Sequence, residues 1–272
     1  MNILSDQQYI QYSRTMLLSD IGETGQLAIM NSSVIIIGMG GLGHLVAHYL
    51  AAAGVQHMLL IDHDAIELSN LPRQLLFTAA DIGQTKVAVT KRVLNRAYPE
   101  ININTIAEKV TAQHFYQLIK RKVTKPLVFD CTDNFKTRQL INQLCVEQKL
   151  TLVSGAISGY QGQLFCIDFS DSGSNSHPNS GCYRCLYPLD MTITQNCTRA
   201  GVLGPAAGII ASMQALVGIQ HLSNTFTQYG ILHCFNAKNL HWQHAHMSQD
   251  PECAVCHQQS VTQLSEQPND AY

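Results

Sequence analysis

The sequence predicts an α/β fold with a mainly parallel sheet, and two patterns support this prediction. In the first half of the chain, apolar runs of strand length alternate with longer segments of helical periodicity, as in successive β-α-β units. A glycine-rich turn also joins one apolar run directly to an apolar helix, a connection that such units use. A chain of 272 residues can form one large domain of this class, or one domain with a smaller appendage.

The predicted elements follow from the apolar runs in chain order. We predict strands at residues 34–37, 58–61, 127–130, 151–154, 163–168 and 230–235. A helix follows the first strand through Ala53, and residues 205–222 form another helix with Pro205 in its first turn. The later strands are expected to extend the parallel sheet by a C-terminal antiparallel part.

The amino-acid composition indicates which classes of partner the protein can bind. Only 13% of the residues are charged, against about 25% in an average soluble protein, so we expect another subunit to cover part of the surface. A net charge of -2 provides no field that would attract nucleic acid or an acidic membrane. Residues 201–219 are uncharged, but Gln214 would be costly in lipid, so we interpret this segment as a buried helix. The N-terminus lacks the features of a secretion signal, and a cytoplasmic protein is expected.

The glycine-rich turn Gly38-Met39-Gly40-Gly41-Leu42-Gly43 predicts a nucleotide cradle in a Rossmann-like fold. Gly38 permits the tight turn after the strand, Gly40 lets the backbone approach a phosphate, and Gly43 allows the helix to pack closely. Asp62 ends the next predicted strand, where a carboxylate can hold ribose hydroxyls. These features alone favour a nicotinamide or flavin enzyme.

Three residues that follow Asp62 in the sequence change that interpretation. Asn70, Arg73 and Lys86 add polar and cationic groups near the same strand ends. A triphosphate that releases pyrophosphate carries more charge than a dinucleotide, so this set favours adenylyl transfer from ATP. The alternative is that Arg73 and Lys86 are ordinary solvated surface charges.

Another polar motif, Asp130-Cys131-Thr132-Asp133-Asn134, follows the predicted strand at residues 127–130. Asp133 is placed to hold Mg²⁺ against the phosphates, since parallel sheets present their ligand-binding groups at this edge. Asn134 is expected to cap the helix that begins near Lys136, although Asp133 is also a suitable cap.

Four of the nine cysteines form two knuckles, Cys182 with Cys185 and Cys253 with Cys256. This spacing predicts a closed tetrahedral zinc site, and four thiolates leave no open position, so the Zn²⁺ is expected to be structural. A redox pair and structural disulfides are the alternatives, and a reducing compartment disfavours disulfides.

Cys197 differs from the other cysteines because Arg199 lies close to it and would favour a thiolate. It lies between the first knuckle and the apolar helix. The remaining cysteines are predicted to be buried as small hydrophobic residues; they are Cys131, Cys145, Cys166 and Cys234.

Five motifs, taken together and in this order, resemble the ThiF/MoeB family of adenylyltransferases, bacterial relatives of the ubiquitin-activating enzymes. They are Tyr12-Ser13-Arg14, the glycine-rich turn, Leu68-Ser69-Asn70-Leu71-Pro72-Arg73-Gln74, the motif that begins at Asp130, and Cys182-Tyr183-Arg184-Cys185. The resemblance extends from about Gln8 to Cys256. Pro72 departs from the pattern, because another residue, often glutamine, is expected there, and proline has no backbone donor.

The resemblance implies a reaction and its partners. ATP would bind the Rossmann-like part, and the C-terminal glycine carboxylate of a small ubiquitin-like sulfur carrier protein, ending in Gly-Gly, would attack the α-phosphate. Asp62 would hold the ribose, Asp133 the metal, and Asn70, Arg73 and Lys86 the phosphates. A sulfur-donating protein would act with the enzyme in sulfur transfer.

The resemblance also implies two roles that the residues alone do not indicate. Arg14 would reach the site of the partner subunit in a homodimer, and Cys197 would bind the activated carrier covalently. Asn196-Cys197 and Gly201-Val202-Leu203-Gly204-Pro205 favour the thiamine branch of the family. A molybdopterin-branch enzyme, a nucleotide-dependent oxidoreductase and a non-catalytic carrier-binding scaffold stay open as alternatives.

The expected organisation has three parts. Residues 1–170 would form the ATP-binding part with an N-terminal helical arm. Residues 171–256 would contribute a crossover loop, the zinc knuckles, a dimer helix and the C-terminal strands of the same domain. Residues 257–272 would form a polar tail.

Overall fold

The computed structural model describes residues 4–119, 125–170, 180–189 and 201–257. Within them, eight strands form one sheet in the order β3-β2-β1-β4-β5-β6-β7-β8. The strands are β1 (Ser33–Ile37), β2 (His57–Ile61), β3 (Asn102–Ile106), β4 (Leu127–Asp130), β5 (Thr151–Ser158), β6 (Gln161–Asp168), β7 (Ile231–Asn236) and β8 (His241–His246). The helices are α1 (Asp6–Met16), α2 (Gly22–Met30), α3 (Gly43–Ala52), α4 (Lys86–Ala97), α5 (Ala112–Ile119), α6 (Phe135–Glu147), α7 (Tyr183–Leu186) and α8 (Gly204–Leu222).

The sheet is parallel in its first half and antiparallel in its second. The pairs β1–β2, β2–β3, β1–β4 and β4–β5 are parallel. The pairs β5–β6, β6–β7 and β7–β8 are antiparallel. This arrangement confirms the predicted α/β fold with a C-terminal antiparallel extension. It also brings the carboxyl ends of β1, β2 and β4 to one edge, where ligands bind in open parallel sheets.

Two differences from the predicted strands have a physical explanation. β5 continues four residues past the predicted end at Ser154, because Gly155 lies within the strand and leaves room for a buried side chain from α8. β3 was not predicted, since its five residues alternate weakly and only Ile103 is buried. Such an edge strand depends on pairing with its neighbour more than on its own apolar content.

Each face of the sheet is covered by helices. One face packs against α3 and α8, and its core includes Val46, Leu50 and Ile210. The other face packs against α6 and contains Phe115 and Ile141 in its core. The N-terminal helix α1 begins with a capping box, in which the Ser5 and Gln8 side chains accept each other's backbone N–H groups.

Helix α8 confirms the prediction of a buried apolar helix. Its polar residue Gln214 is fully buried and donates hydrogen bonds to the carbonyls of Asp130 (2.9 Å) and Val153 (3.1 Å). These bonds satisfy the amide in the core, so Gln214 connects α8 to the end of β4 and to the first half of β5. Among the residues that the structure describes, no helix combines the length and the apolar character needed to cross a membrane.

Candidate functional site

The glycine-rich turn lies at the carboxyl edge of the sheet, between β1 and α3. Gly38 has φ +90°, and a Cβ atom there would lie 2.8 Å from the carbonyl oxygen of Cys131. A Cβ atom at Gly43 would lie 1.8 Å from the carbonyl oxygen of Gly38. Both positions therefore require glycine, Gly38 for its backbone angle and Gly43 for the close approach of the helix to the turn.

The backbone of this turn presents donors without acceptors. Within the described chain, the N–H groups of Gly40, Gly41 and Leu42 make no hydrogen bond to protein. They precede the N-terminus of α3, whose dipole favours an anion. Successive free amides at a helix N-terminus form a suitable binding site for phosphate oxygens.

Asp62 braces this turn from the end of β2. Its carboxylate accepts the N–H of Met39 at 2.5 Å and the N–H of Asp64 at 2.8 Å. Asp62 is nearly buried, yet each carboxylate oxygen retains a lone pair after one such bond. Asp62 therefore lies beside the glycine turn, at the strand end where the sequence predicts it.

His44 is a site residue that the sequence reasoning missed. It is fully buried at the second position of α3, with Nδ1 2.6 Å from the carbonyl oxygen of Gly40. Its Nε2 atom accepts the N–H of Leu75 at 3.1 Å. Burial lowers the pKa of His44 to about 4, with a smaller opposing effect from the Gly40 bond. The available signal was a polar residue placed directly after the last glycine at the start of an apolar helix.

Asn70 and Arg73 lie on a segment that packs against the glycine turn. Asn70 is buried and accepts the N–H of Glu67 at 3.2 Å, which closes a short 3-10 turn. Arg73 donates to the carbonyl of Ser69 at 2.7 Å, and its Cγ and Cδ atoms lie 3.9 Å from where a Cβ atom on Gly41 would be. Arg73 is therefore held alongside the free amides of the turn.

Two neighbours of Arg73 add to this arrangement. The Oε1 atom of Gln74 is buried without a hydrogen-bond partner in the described chain, and Gln74 lies beside Gly40. A buried acceptor without a partner is consistent with a site built to receive a ligand or an ion. Pro72 packs through its carbonyl oxygen against Gly204 at the start of α8, where a Cβ atom would lie only 2.6 Å from that oxygen.

Lys86 begins α4 and is held by an ion pair. Its Nζ atom lies 2.7 Å from Oδ2 of Asp64, and the lysine side chain is only 7% exposed, against 48% for the aspartate. Partial burial raises the pKa of Asp64, but the hydrogen bond and charge of Lys86 outweigh this effect, so the pKa lies below its ordinary value. Oxygen atoms of Asp62 and Asp64 lie within 4.8 Å of each other, so the ion pair with Asp64 places Lys86 near Asp62 and the glycine turn.

The motif after β4 divides into a buried part and an exposed part. Asp130 is buried and accepts the Thr132 hydroxyl at 2.7 Å and the Ser154 hydroxyl at 2.9 Å. Asp133 is exposed at the strand end. Asn134 accepts the N–H of Thr137 at 2.9 Å and confirms the expected cap of α6, which begins at Phe135. Asp130 therefore bonds to hydroxyls inside the fold, and Asp133 is the carboxylate of this motif that faces solvent.

The four knuckle thiols converge, as the sequence predicted. The Sγ atoms of Cys182 and Cys253 are 3.8 Å apart, those of Cys185 and Cys256 are 3.4 Å apart, and all four lie within 4.8 Å of one another. Tetrahedral zinc with bonds of about 2.3 Å separates its sulfur ligands by about 3.8 Å. Asn142 of α6 donates to Cys182 Sγ at 3.4 Å. Ligand number, distances and this outer hydrogen bond are compatible with zinc.

Comparison with known proteins identifies the family of this chain. The ThiF family model matches residues 12–255. The chain belongs to the ThiF family. It is 38% identical over 254 residues to the sulfur carrier protein ThiS adenylyltransferase of Escherichia coli (strain K12), across 93% of this chain and 97% of that protein. It is 35% identical over 256 residues to the molybdopterin-synthase adenylyltransferase of the same strain, across 94% of this chain and 99% of the relative.

Solved structures agree with the fold of a ThiF-family protein. The crystal structure of Escherichia coli MccB with ATP superposes with a TM-score of 0.74 at 24% identity, covering 90% of this chain and 74% of MccB. A crystal structure of PaaA superposes with a TM-score of 0.73 at 18% identity, covering 92% and 76%. At these identities the likeness shows the shared fold.

Of two further predicted site residues in this ThiF-family chain, one lies on the surface and the other falls outside the described residues. Arg14 is exposed in the last turn of α1, and no hydrogen bond or ion pair in the described part of the chain joins it to another site residue. Cys197 lies outside the described residues, as does Arg199. Neither observation tests the role that the resemblance implies.

The remaining cysteines require one correction. Cys131, Cys145 and Cys166 are buried as predicted, and burial raises the pKa of each thiol. Cys234 is only half-buried, so the prediction that it is buried was wrong. It lies on β7, partly packed against the core on the α6 face of the sheet, and its neighbour β8 is an exposed edge strand.

Proposed function

We propose that this protein uses ATP to adenylate the C-terminal glycine carboxylate of a small ubiquitin-like sulfur carrier protein that ends in Gly-Gly. The observation that supports this most directly is the row of free amides at Gly40, Gly41 and Leu42, flanked by Asp62 and by Arg73. Such a cradle suits a nucleotide with several phosphates. The two Escherichia coli relatives described above are both adenylyltransferases.

The chemistry requires positioning and charge neutralisation rather than a general base. A C-terminal carboxylate has a pKa of about 3.5 and is already ionised at neutral pH. One of its oxygens forms a bond to the α-phosphorus of ATP, the bond from that phosphorus to the bridging oxygen breaks, and pyrophosphate leaves with the electron pair. Arg73 and Lys86 would stabilise the negative charge that accumulates on the phosphates.

Each nucleotide-binding role can be matched to a residue of the crevice. Asp62 would accept ribose hydroxyls through its remaining lone pairs, and Asn70 would face the phosphates together with Arg73. Lys86 would exchange Asp64 for a phosphate oxygen when ATP binds. Asp133 would hold Mg²⁺, which suits an exposed carboxylate at the end of a parallel strand.

The four thiols would hold a structural Zn²⁺ that supplies no chemistry to the reaction. With four thiolate ligands the metal has no open position. It would instead fix Cys253 and Cys256, near the end of the described chain, to the knuckle at Cys182 and Cys185. The zinc would therefore contribute to folding stability.

A homodimer is proposed from the surface and from Arg14. Tyr49 on α3 and Ile209 and Leu216 on α8 are exposed large apolar residues, and these two helices pack against each other. Exposed apolar side chains on adjacent helices, in a chain with only 13% charged residues, favour a covered surface. The Arg14 side chain has no hydrogen bond or ion pair among the described residues, so it would be available to reach the crevice of a partner subunit.

The thiamine branch is the proposed pathway, with Cys197 as the residue that binds the activated carrier covalently before a sulfur-donating protein completes the transfer. This role is supported by the resemblance and by the contacts that residues after Cys197 make near the crevice. Val202 forms a bridge with Gly159, and Gly204 packs on the Pro72 carbonyl beside Arg73. The molybdopterin branch is the second candidate, because the 35% identity of that relative is close to the 38% of the first.

ATP–pyrophosphate exchange tests the proposed reaction. The purified protein is incubated with ATP, Mg²⁺ and labelled pyrophosphate, with a Gly-Gly-ended thiamine carrier, its molybdopterin counterpart, or no carrier. We expect exchange that depends on the thiamine carrier and that is lost with Lys86→Ala. Exchange with the molybdopterin carrier alone would assign the protein to that branch, and no exchange with either would refute the proposed reaction.

A further inference from the structure

His44 joins the two segments of the crevice that face the phosphates, and the function proposed above assigns it no role. It lies between the Gly40 carbonyl on the glycine turn and the Leu75 amide on the segment that carries Arg73. The side chain is fully buried and its ring lies 6.0 Å from that of Phe77, so its orientation is fixed by packing as well as by both bonds.

The two partners determine the tautomer of His44. Gly40 offers a carbonyl oxygen, which can only accept, so Nδ1 must carry the proton. Leu75 offers an N–H group, which can only donate, so Nε2 must be unprotonated. The neutral ring with hydrogen on Nδ1 satisfies both, whereas an imidazolium would direct Nε2–H at another N–H. Burial favours the same neutral form, with a pKa of about 4.

The bond to Gly40 also sets the direction of a free amide. In a trans peptide the C=O and the following N–H point in opposite directions. Because His44 holds the Gly40 carbonyl, the Gly41 N–H is turned away from His44, and it has no protein acceptor in the described chain. The bond to Leu75 meanwhile holds the backbone two residues beyond Arg73.

We propose that His44 is a positioning residue that fixes the glycine turn and the Arg73 segment relative to each other, so that the Gly41 amide and Arg73 can bind the same phosphates. This inference rests on the proposed function, because it concerns how the same crevice binds ATP. Without His44 the two segments would adopt several relative positions, and ATP binding would have to select one of them.

Two substitutions separate the two bonds. In His44→Asn the side-chain amide reaches the place of Nδ1 and can donate to Gly40, but it loses Leu75. In His44→Gln the side-chain oxygen reaches the place of Nε2 and can accept from Leu75, but it loses Gly40. His48→Gln is the matched control, since His48 lies one turn later on α3, half-buried beside Tyr98 and away from the glycine turn.

The experiment measures the ATP dissociation constant, the exchange rate and the thermal unfolding midpoint of each full-length variant. We expect ATP binding to weaken about tenfold in His44→Asn and His44→Gln, since each variant releases one of the two segments and ATP binding must then order that segment again. His48→Gln should bind ATP as the wild type does. Dissociation constants within twofold of the wild type in both His44 variants, with wild-type exchange intact, would overturn the proposal and leave the proposed function standing.

A measurement on the wild type keeps the proposal testable if the variants unfold. Nitrogen-15 NMR of the imidazole should show His44 with hydrogen on Nδ1 and a bare Nε2 between pH 6 and 8. A spectrum with hydrogen on Nε2 would overturn the proposal. A wild type with the expected tautomer that neither binds ATP nor supports exchange would refute the proposed function, and the positioning role with it.

Discussion

At the scale of single residues, the ion pair between Lys86 and Asp64 is unequally buried, and this predicts unequal effects of substitution. Lys86→Ala should lower exchange at least about 100-fold, because it removes a cation from the phosphates. The thermal midpoint should change little, since the Asp64 left behind is about half exposed to water. Exchange assays and thermal unfolding of the same preparations measure both effects.

Asp64→Asn is the reciprocal test of that pair. It leaves the nearly buried ammonium of Lys86 without its anionic partner. The free energy of unfolding should fall by about 1–3 kcal/mol, the usual cost of leaving a buried polar group without its partner. Exchange should persist, because Lys86 is still present. If Lys86→Ala retained exchange while Asp64→Asn lost it, the roles given to the two residues would be wrong.

Single residues also show how far the sequence could predict the site. The positions of Gly38, Gly43 and Asp62 were predictable, because they depend on a local turn and on the end of the next strand. The hydrogen bonds of His44 with Leu75 and of Lys86 with Asp64 join segments that are distant in sequence, and no spacing pattern predicts them. The structure had to supply those contacts.

At the scale of elements, the turn between β1 and α3 predicts opposite behaviour for two of its glycines. Gly43→Ala would place a carbon 1.8 Å from the Gly38 carbonyl, so helix and turn must separate and the protein should be strongly destabilised. Gly41→Ala would meet nothing closer than Ala207 at 3.7 Å, so the fold should persist. A side chain beside the free amides should nevertheless weaken ATP binding.

Circular dichroism melting and ATP titration distinguish these outcomes. Gly41→Ala is the steric control for Gly43→Ala, since both carry the same substitution in the same turn. A Gly43→Ala protein as stable as the wild type would mean that the helix does not approach the turn as closely as the structure has it.

Helix α6 predicts a link between the crevice and the proposed zinc site. Asn134 caps it at the crevice, and two turns later Asn142 donates to Cys182 Sγ and accepts the Tyr183 N–H at 2.9 Å. Asn142→Leu should weaken zinc binding about 10–100-fold, the usual effect of losing a hydrogen bond to a metal ligand. Gln143→Leu, exposed on the same helix, is the matched control.

Zinc release to a chromogenic chelator measures this effect directly. We expect faster release and a lower melting temperature for Asn142→Leu than for Gln143→Leu, and complete chelation should destabilise the wild type further. Equal release rates in the two variants would show that Asn142 does not support the metal site.

Elements differ in how far the sequence determined them. Helix α8 was predictable because its apolar character is continuous, whereas β3 was missed because an edge strand is stabilised largely by its neighbour. The predicted end of β5 was too early because Gly155 suggests a turn. In the fold that glycine instead accommodates the side chain of Gln214, a contact that no local pattern indicates.

At the scale of the whole molecule, the proposed homodimer predicts complementation between two inactive variants. Arg14→Ala and Lys86→Ala each remove one component of every active site in their own dimer. Mixed dimers contain one site that lacks both residues and one site that lacks neither, if Arg14 acts across the interface. Exchange should therefore return to about a quarter of the wild-type rate if subunits mix at random, and to about half if every dimer is mixed. No recovery, with mixing verified by mass spectrometry, would place Arg14 within its own subunit or outside the reaction.

If this chain forms an adenylate on a carrier protein, intact-mass spectrometry of the carrier detects the product itself. The protein, ATP and Mg²⁺ are incubated with the Gly-Gly-ended thiamine carrier or its molybdopterin counterpart, without a sulfur donor, beside a Lys86→Ala control. With the thiamine carrier and the active protein, we expect the carrier to become heavier by one adenylyl group at its C-terminus. An unchanged mass for both carriers, with a protein that still binds ATP, would contradict the proposed adenylation.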